Sequence, residues 1–414
     1  MGWTSLGDVR FSSRVDLESL NPIAMREREM RSRGDAVRSL NDSNPTRYGL
    51  APSSLPGEYR AEPRGPMPMR RGLAAWLNRR AESESMAGAS DGPTHVVDPG
   101  NLYVLSSTSQ AYSWLMKLLC DPGDAVLAPR PGYPLVESIA RLECARTLNY
   151  QLRFDGSWYV DIPSLRSLFD DDPDGRIRAM VVINPNNPSG SYIRPGERDR
   201  IVEMCRRHGV ALIADEVFYD YALEPEPTNR RFAGESGVLT FALDGFSKSL
   251  AAPNAKVGWI EVSGPADDVA EAERRLDLIA DDYLPMSDII MRHLPAMLAE
   301  GHRQTLRVGG RVRGNLRTLH SILDGDPDTV VSVLRAEGGW NVLLRVPSTI
   351  DENSLVLHLI ETRRLTAQPG YFFDMPSDGY LAVSLLPEPD TFARNIHAVL
   401  DAVAEMLRSD AEPC

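Results

Sequence analysis

The chain reads as an α/β protein: a large domain with a mostly parallel seven-stranded sheet flanked by helices, plus a smaller α+β domain. Three observations predict this. Short apolar runs between residues 103 and 262 alternate with helical patterns. Buried strands interleaved with helices are the mark of a parallel sheet covered on both faces. At 414 residues the chain can also bury a core large enough to divide into two domains.

The elements follow in order. Residues 1–50 are polar and Arg-rich and read as an arm that joins the small domain. Residues 51–70, rich in Pro and Gly, form an extended loop. A helix fits 69–80, and 82–94 reads as a loose Ser/Gly-rich surface connection. Strand candidates are 103–106, 125–128, 145–150, 179–183, 211–214, 239–243 and 257–262. Helices fit between them at 110–119, 135–142 and 196–207. Residues 270–325 read as long helices, with the arginines of 303–317 on a polar face. Gly309-Gly310 to Gly314 follows no strand and reads as helix packing. From 329 onward, shorter strands (330–335, 341–346, 380–385) mix with helix, as at 393–407. The expected division is 1–50 as arm and part of the small domain, 51–300 as large domain and 301–414 as small domain.

Composition narrows the function classes. A formal net charge of -13 argues against nucleic acid as a partner. No apolar run is long enough to span a membrane, and the first ten residues lack the apolar core of a secretory signal. Gly2 alone suggests a myristoyl site, but Leu6 stands where Ser or Thr is required. Cys120, Cys144, Cys205 and Cys414 show no Cys-x-x-Cys spacing and read as reduced thiols of a cytoplasmic protein. The histidines make no metal-binding pattern, so no metal site is expected.

Three motifs carry chemistry. Asp244-Gly-Phe-Ser-Lys248 follows an apolar strand, and a second cation, Lys256, comes shortly after. A lysine at a strand end near a phosphate-sized cationic site suits a Schiff base with pyridoxal phosphate. Val181-Val-Ile-Asn-Pro-Asn-Asn-Pro-Ser-Gly190 is a strand running into a polar turn. Ala211-Leu-Ile-Ala-Asp-Glu216 is a strand ending in two carboxylates. Taken singly, the last two are ordinary strand ends. Upstream, Ser106-Ser-Thr-Ser-Gln110 is a strand end feeding a helix, whose N-terminus makes a phosphate cradle. Thr108 and Ser109 are the first candidates there and Ser107 the next, with plain N-capping as the other reading.

In this order the motifs resemble the class I/II aminotransferases, fold-type I enzymes dependent on pyridoxal 5'-phosphate. The resemblance runs from about Asn44-Pro-Thr-Arg47 to Leu381-Ala-Val-Ser384. It implies that Lys248 forms the Schiff base and then moves the substrate's α-proton. Asp215 faces the pyridine nitrogen, Asn187 donates to the phenolic oxygen, and Tyr133 stacks on the ring. Ser247 adds a hydroxyl, and Lys256 stands where the family has a phosphate-binding arginine, without the bidentate fork. Tyr59 resembles the tyrosine that reaches a neighbouring subunit's phosphate, which implies a homodimer.

Three positions depart from the family. Phe218 replaces a tyrosine that bonds the phenolic oxygen, with Tyr219 one place late. Gly245 stands where serine is frequent. Ala382 holds the place of the arginine that grips the substrate carboxylate. Arg47 is the first substitute and Arg14 the second. The leading expectation is transamination of an amino acid or amine, in the setting of specialised metabolism. Two alternatives remain: β-elimination, such as carbon–sulfur cleavage, or decarboxylation on the same cofactor; and a non-catalytic binding module.

Overall fold

The computed structural model describes residues 7–411 except 16, 18–21, 36–39, 41–42, 56, 87–94 and 225–227. Gly2 and Cys414 lie outside the described residues. Within the segment expected as an arm, helix α1 runs over Pro22–Ser32. A 3-10 turn follows at Pro45–Tyr48, where the Asn44 side chain accepts from the Thr46 N–H. Helix α2, Met67–Met86, is longer than expected and takes in part of the predicted loose connection. Between Ala81 and Met86 the chain has no Gly or Pro to stop it.

The large sheet is built from β1 (Leu102–Leu105), β2 (Ala125–Arg130), β3 (Arg146–Phe154) and β4 (Trp158–Val160), then β5 (Ile177–Ile183), β6 (Ala211–Asp215), β7 (Thr240–Gly245) and β8 (Gly258–Ser263). Helices α3 (Thr108–Leu119), α4 (Leu135–Leu142), α5 (Ile162–Asp170) and α6 (Pro195–His208) connect its strands. The short α7 (Phe246–Ser249) leads out of β7. The strand order is β1-β8-β7-β6-β5-β2-β3-β4. Eight strands therefore replace the seven expected. The extra one, β4, pairs antiparallel with β3 across Asp155-Gly156. Three residues are too few to show a period, although Asp-Gly is itself a hairpin signal.

Five neighbouring strands, β7-β6-β5-β2-β3, are parallel, and the outer pairs are antiparallel. From β2 the chain steps to β3 on one side. From β5 it steps to β6 and β7 on the other. The crevice at this reversal, outside the carboxyl ends of β2 and β5, is where an open α/β sheet collects its ligand. Apolar side chains cover both faces. Leu115, Leu119, Val126 and Phe241 fill one core, while Leu127, Met180, Leu165 and Ile201 fill the other.

Helices α8 (Ala266–Tyr283) and α9 (Asp288–Asp324) lead to the second sheet. The boundary expected at residue 300 falls inside α9, beside Gly301. A Cβ at Gly301 would come within 2.8 Å of the Trp76 indole nitrogen, so glycine lets α9 lie close on α2. The second sheet has order β11-β12-β10-β9, all antiparallel. Its strands are β9 (Ser332–Val333), β10 (Asn341–Arg345), β11 (Gln368–Pro369) and β12 (Tyr380–Ser384), with helices α10 (Glu352–Arg363) and α11 (Pro389–Ala411). Leu319, Val342, Leu344, Leu355, Phe392 and Ile396 close its core. Among the described residues no helix is long and apolar enough to cross a membrane.

Candidate active site

Asp215, the last residue of β6, is buried. Its carboxylate accepts from the Tyr112 hydroxyl at 2.9 Å and from the Val217 N–H at 3.3 Å. Burial pushes its carboxyl up to about 6. The Tyr112 and Val217 hydrogen bonds and the charge of Lys248 oppose the rise, and Asp244 adds to it. Glu216 is pushed up further, to about 7, by the same desolvation. It accepts from the Phe232 N–H at 2.7 Å, and Asn184 donates to it at 3.4 Å.

Lys248 lies in α7, just beyond β7. Its Nζ stands over two aromatic rings, 5.3 Å from the Phe218 centroid and 5.0 Å from the Trp340 centroid. Burial lowers the ammonium pKa, and Asp215 opposes the shift. The backbone here is held on several sides. Tyr221 Oη donates to the Lys248 carbonyl at 2.6 Å, Ser249 Oγ to the Gly245 carbonyl at 3.0 Å, and Thr305 Oγ1 to the Ser249 carbonyl at 2.9 Å. Behind the loop, Arg80 bridges Asp220 and Asp244 at 3.1 and 2.9 Å, and Arg231 pairs with Asp220. Burial alone would raise the Asp220 carboxyl, but Arg80 and Arg231 outweigh it and hold it low.

Beside these groups α3 begins. Ser107 is its N-cap, with Oγ accepting from the Gln110 N–H at 3.3 Å. The first-turn N–H groups of Thr108 and Ser109 have no intrahelical partner. Gly258 opens β8 directly against this turn. A Cβ there would lie 3.1 Å from the Thr108 nitrogen. That close approach brings exposed Lys256, two residues earlier in the chain, to the same end of the sheet. Ser247 sits between Phe246 and Lys248. Across the crevice, Asn187 accepts from Asn341 Nδ2 at 3.0 Å. The β2 and β5 loops are tied by Asn186, which donates to the Pro131 carbonyl at 3.2 Å. Half-exposed Tyr133 follows on that β2 loop.

Other expected residues fall elsewhere. Arg14 donates to the Met116 and Cys120 carbonyls at 3.2 and 2.7 Å. It therefore caps the C-terminal end of α3, the end opposite Thr108, and this corrects its reading as a substrate arginine. Arg47 pairs with Glu58 at 3.1 Å on an exposed segment. Exposed Tyr59 lies on the same segment, its backbone held by Asn44 and Thr46. Ala382 lies opposite Leu343 and Gln368 and packs against the apolar cluster that includes Leu343 and Met375. Tyr219, one place late for the phenolic oxygen, has its ring against Arg231, 3.9 Å away.

Sequence reading missed three residues here: Tyr112, Trp340 and Asn341. Tyr112 had a signal. It stands four residues after Thr108 on one helical face, one turn behind the cradle. Trp340 and Asn341 reach the site only because the second sheet packs over the first.

The donor set suits one kind of ligand. It joins a partly desolvated amine, a buried carboxylate that binds a proton readily, and a helix start backed by a lysine. Those groups fit the amine-reactive carbonyl, ring nitrogen and phosphate of pyridoxal 5'-phosphate. Fold and site together define a fold-type I pyridoxal-phosphate enzyme. Residues 68–390 match the family Aminotransferase class I and II, and the chain belongs to it. The alanine aminotransferase of Mycobacterium tuberculosis is 25% identical over 320 residues, covering 75% of this chain and 72% of that protein. The S-alkyl-thiohydroximate lyase of Arabidopsis thaliana is 29% identical over 245 residues, 58% of this chain and 49% of that protein. The solved alanine aminotransferase from Pyrococcus furiosus superposes with a TM-score of 0.71 at 19% identity, over 96% of this chain and 100% of that one. That last likeness speaks for the fold.

Proposed function

We propose that this pyridoxal-phosphate-dependent aminotransferase exchanges the amino group of an amino acid with the oxo group of a 2-oxo acid, using Lys248, Asp215 and Asn187. The observation that carries the reading is Lys248 Nζ, partly desolvated on the Phe218 and Trp340 rings and within electrostatic reach of Asp215. When bound, the cofactor supplies a covalent attachment for the amino group and an electron sink for the substrate's α-carbon. Lys248 Nζ holds that attachment in the resting protein. With the cofactor bound, the Lys248 amine would be the group placed to take up and return the substrate's α-proton. Burial, by lowering its pKa, favours the unprotonated amine.

Asp215, steadied by the Tyr112 hydroxyl, would face the ring nitrogen and favour its protonated form. Asn187 directs its amide at the phenolic oxygen, and Tyr133 covers the ring. Ser107, Thr108, Ser109, Ser247 and Lys256 hold the phosphate. Arg47 is the remaining candidate for the substrate carboxylate. Tyr59, on the same exposed segment, suits a contact with the phosphate in a second subunit, so we propose a homodimer. A cytoplasmic setting fits the free thiols of Cys120, Cys144 and Cys205.

A second reading, carbon–sulfur elimination on the same residues, is favoured by Ala382 and by the lyase relative. One experiment separates the two. The cofactor-loaded protein is mixed with amino acids and S-alkyl-cysteines, with no oxo acid added. Transamination yields one equivalent of 2-oxo acid per site and stops. Ammonia and thiol accumulating over many turnovers would replace it with elimination.

A further inference from the structure

We infer that Asn341 is a positioning residue that fixes which way the Asn187 amide points. The inference rests on the cofactor reading above. Asn341 opens β10 and lies opposite Ser384, two rungs from the Leu343–Ala382 pair. Alternate residues of a strand share a face, so Asn341 lies on the same face of the sheet as Leu343 and its cross-strand partner Ala382. Asn341 Nδ2 donates to Asn187 Oδ1 at 3.0 Å. An amide has one oxygen and one NH2 group. With its oxygen taken by Asn341, Asn187 turns its NH2 group to the cofactor's side.

The donor is held firmly. Glu337 and Gly338 N–H groups donate to the Gly190 carbonyl at 3.0 and 2.9 Å, and the Gly339 N–H donates to the Tyr221 carbonyl at 2.9 Å. The segment leading into Asn341 is thus stitched to the loops after both β5 and β6. The orientation of Asn187 matters more here than in a site with two donors to the phenolic oxygen. Phe218 has no hydroxyl, and the Tyr219 ring is turned to Arg231. A link from the second sheet to the Asn187 amide therefore stands on the same face as Ala382.

A donor to the phenolic oxygen stabilises its ionised form and lowers the pKa of the adjoining lysine nitrogen. The test titrates the visible absorbance of the cofactor-loaded protein against pH. N341A should raise the midpoint by about one pH unit, the worth of roughly one oriented hydrogen bond. N341D, which accepts but cannot donate, should raise it further by turning the Asn187 oxygen to the cofactor. N187A should give a shift like that of N341A, and the double variant should match N187A alone. A midpoint for N341A within about 0.2 unit of wild type would overturn the inference, as would full additivity in the double variant. K248A separates the two layers of argument. A pH-dependent visible band that survives K248A overturns the cofactor reading along with this one. A band lost in K248A but unmoved in N341A overturns this one alone.

Discussion

Two surfaces meet across the crevice, and they differ in charge. The carboxyl edge of the large sheet carries Asp215, Lys248 and Lys256, backed by the Arg80–Asp220–Asp244–Arg231 network. The facing strands of the small sheet present Asn341, Leu343 and Ala382. Fixed charges need a rigid, desolvated frame, because their value depends on placement and on exclusion of water. Strand ends in a buried parallel sheet provide it. A neutral face packed over them can change its side chains without disturbing that frame. The charged groups and the neutral side chains thus lie on separate elements.

The largest effect tests the charged edge. K248A should lower turnover by on the order of 10⁴-fold or more, since both the covalent attachment and the proton shuttle go with it. Steady-state assays over many turnovers check this, and sustained turnover in K248A would falsify the assignment.

Next comes the frame itself. R80M leaves buried Asp220 and Asp244 short of a cation, and breaking such a pair costs about 3–5 kcal/mol. Chemical denaturation should show the loss, and unchanged stability would mean that Arg231 alone neutralises both carboxylates.

Removing the cofactor exposes the pH dependence that buried Asp215 carries. Its folded pKa of about 6 lies above the usual carboxylate range, so the folded state binds more protons than the unfolded one in between. The stabilising protonation is complete below about pH 4 and is lost as pH rises through about 6. D215N should flatten this fall in the cofactor-free protein by up to about 3 kcal/mol. An equal slope in wild type and D215N would show that Glu216 or another group carries it.

The smallest effect tests the neutral face. A382R restores a fork, and the preference for an amino acid over its decarboxylated amine should rise about tenfold in kcat/KM. An unchanged preference would place the carboxylate elsewhere, with Arg47 the group to vary next.

How far the sequence led depends on the element. The seven expected strands are all present because each is a short, largely apolar or alternating run with turn residues near its ends. β4 escaped because it is short, and the end of α2 because Ser and Glu look alike in a helix and a connection. At the site, Asp215, Asn187 and Lys248 were legible because a strand end followed by a particular polar residue is a local pattern. Arg14 was misjudged because an arginine's sequence says nothing of its partner, and here two carbonyls at the end of α3 take it. Asn341 and Trp340 left no local pattern at all.

The sequence by itself therefore determined the parallel sheet, its helices and the residues at the strand ends, since these follow from nearest-neighbour patterns of apolar and polar side chains. The tertiary structure alone decided which distant groups complete the site. Tyr112 reaches Asp215 once α3 has packed on the large sheet, and Asn341 reaches Asn187 and Trp340 reaches Lys248 only after the two sheets have packed together. Burial of the two sheets is driven by the hydrophobic effect, which is non-directional. The hydrogen bonds formed between them are short-ranged and directional, so they appear only when packing has fixed the distance.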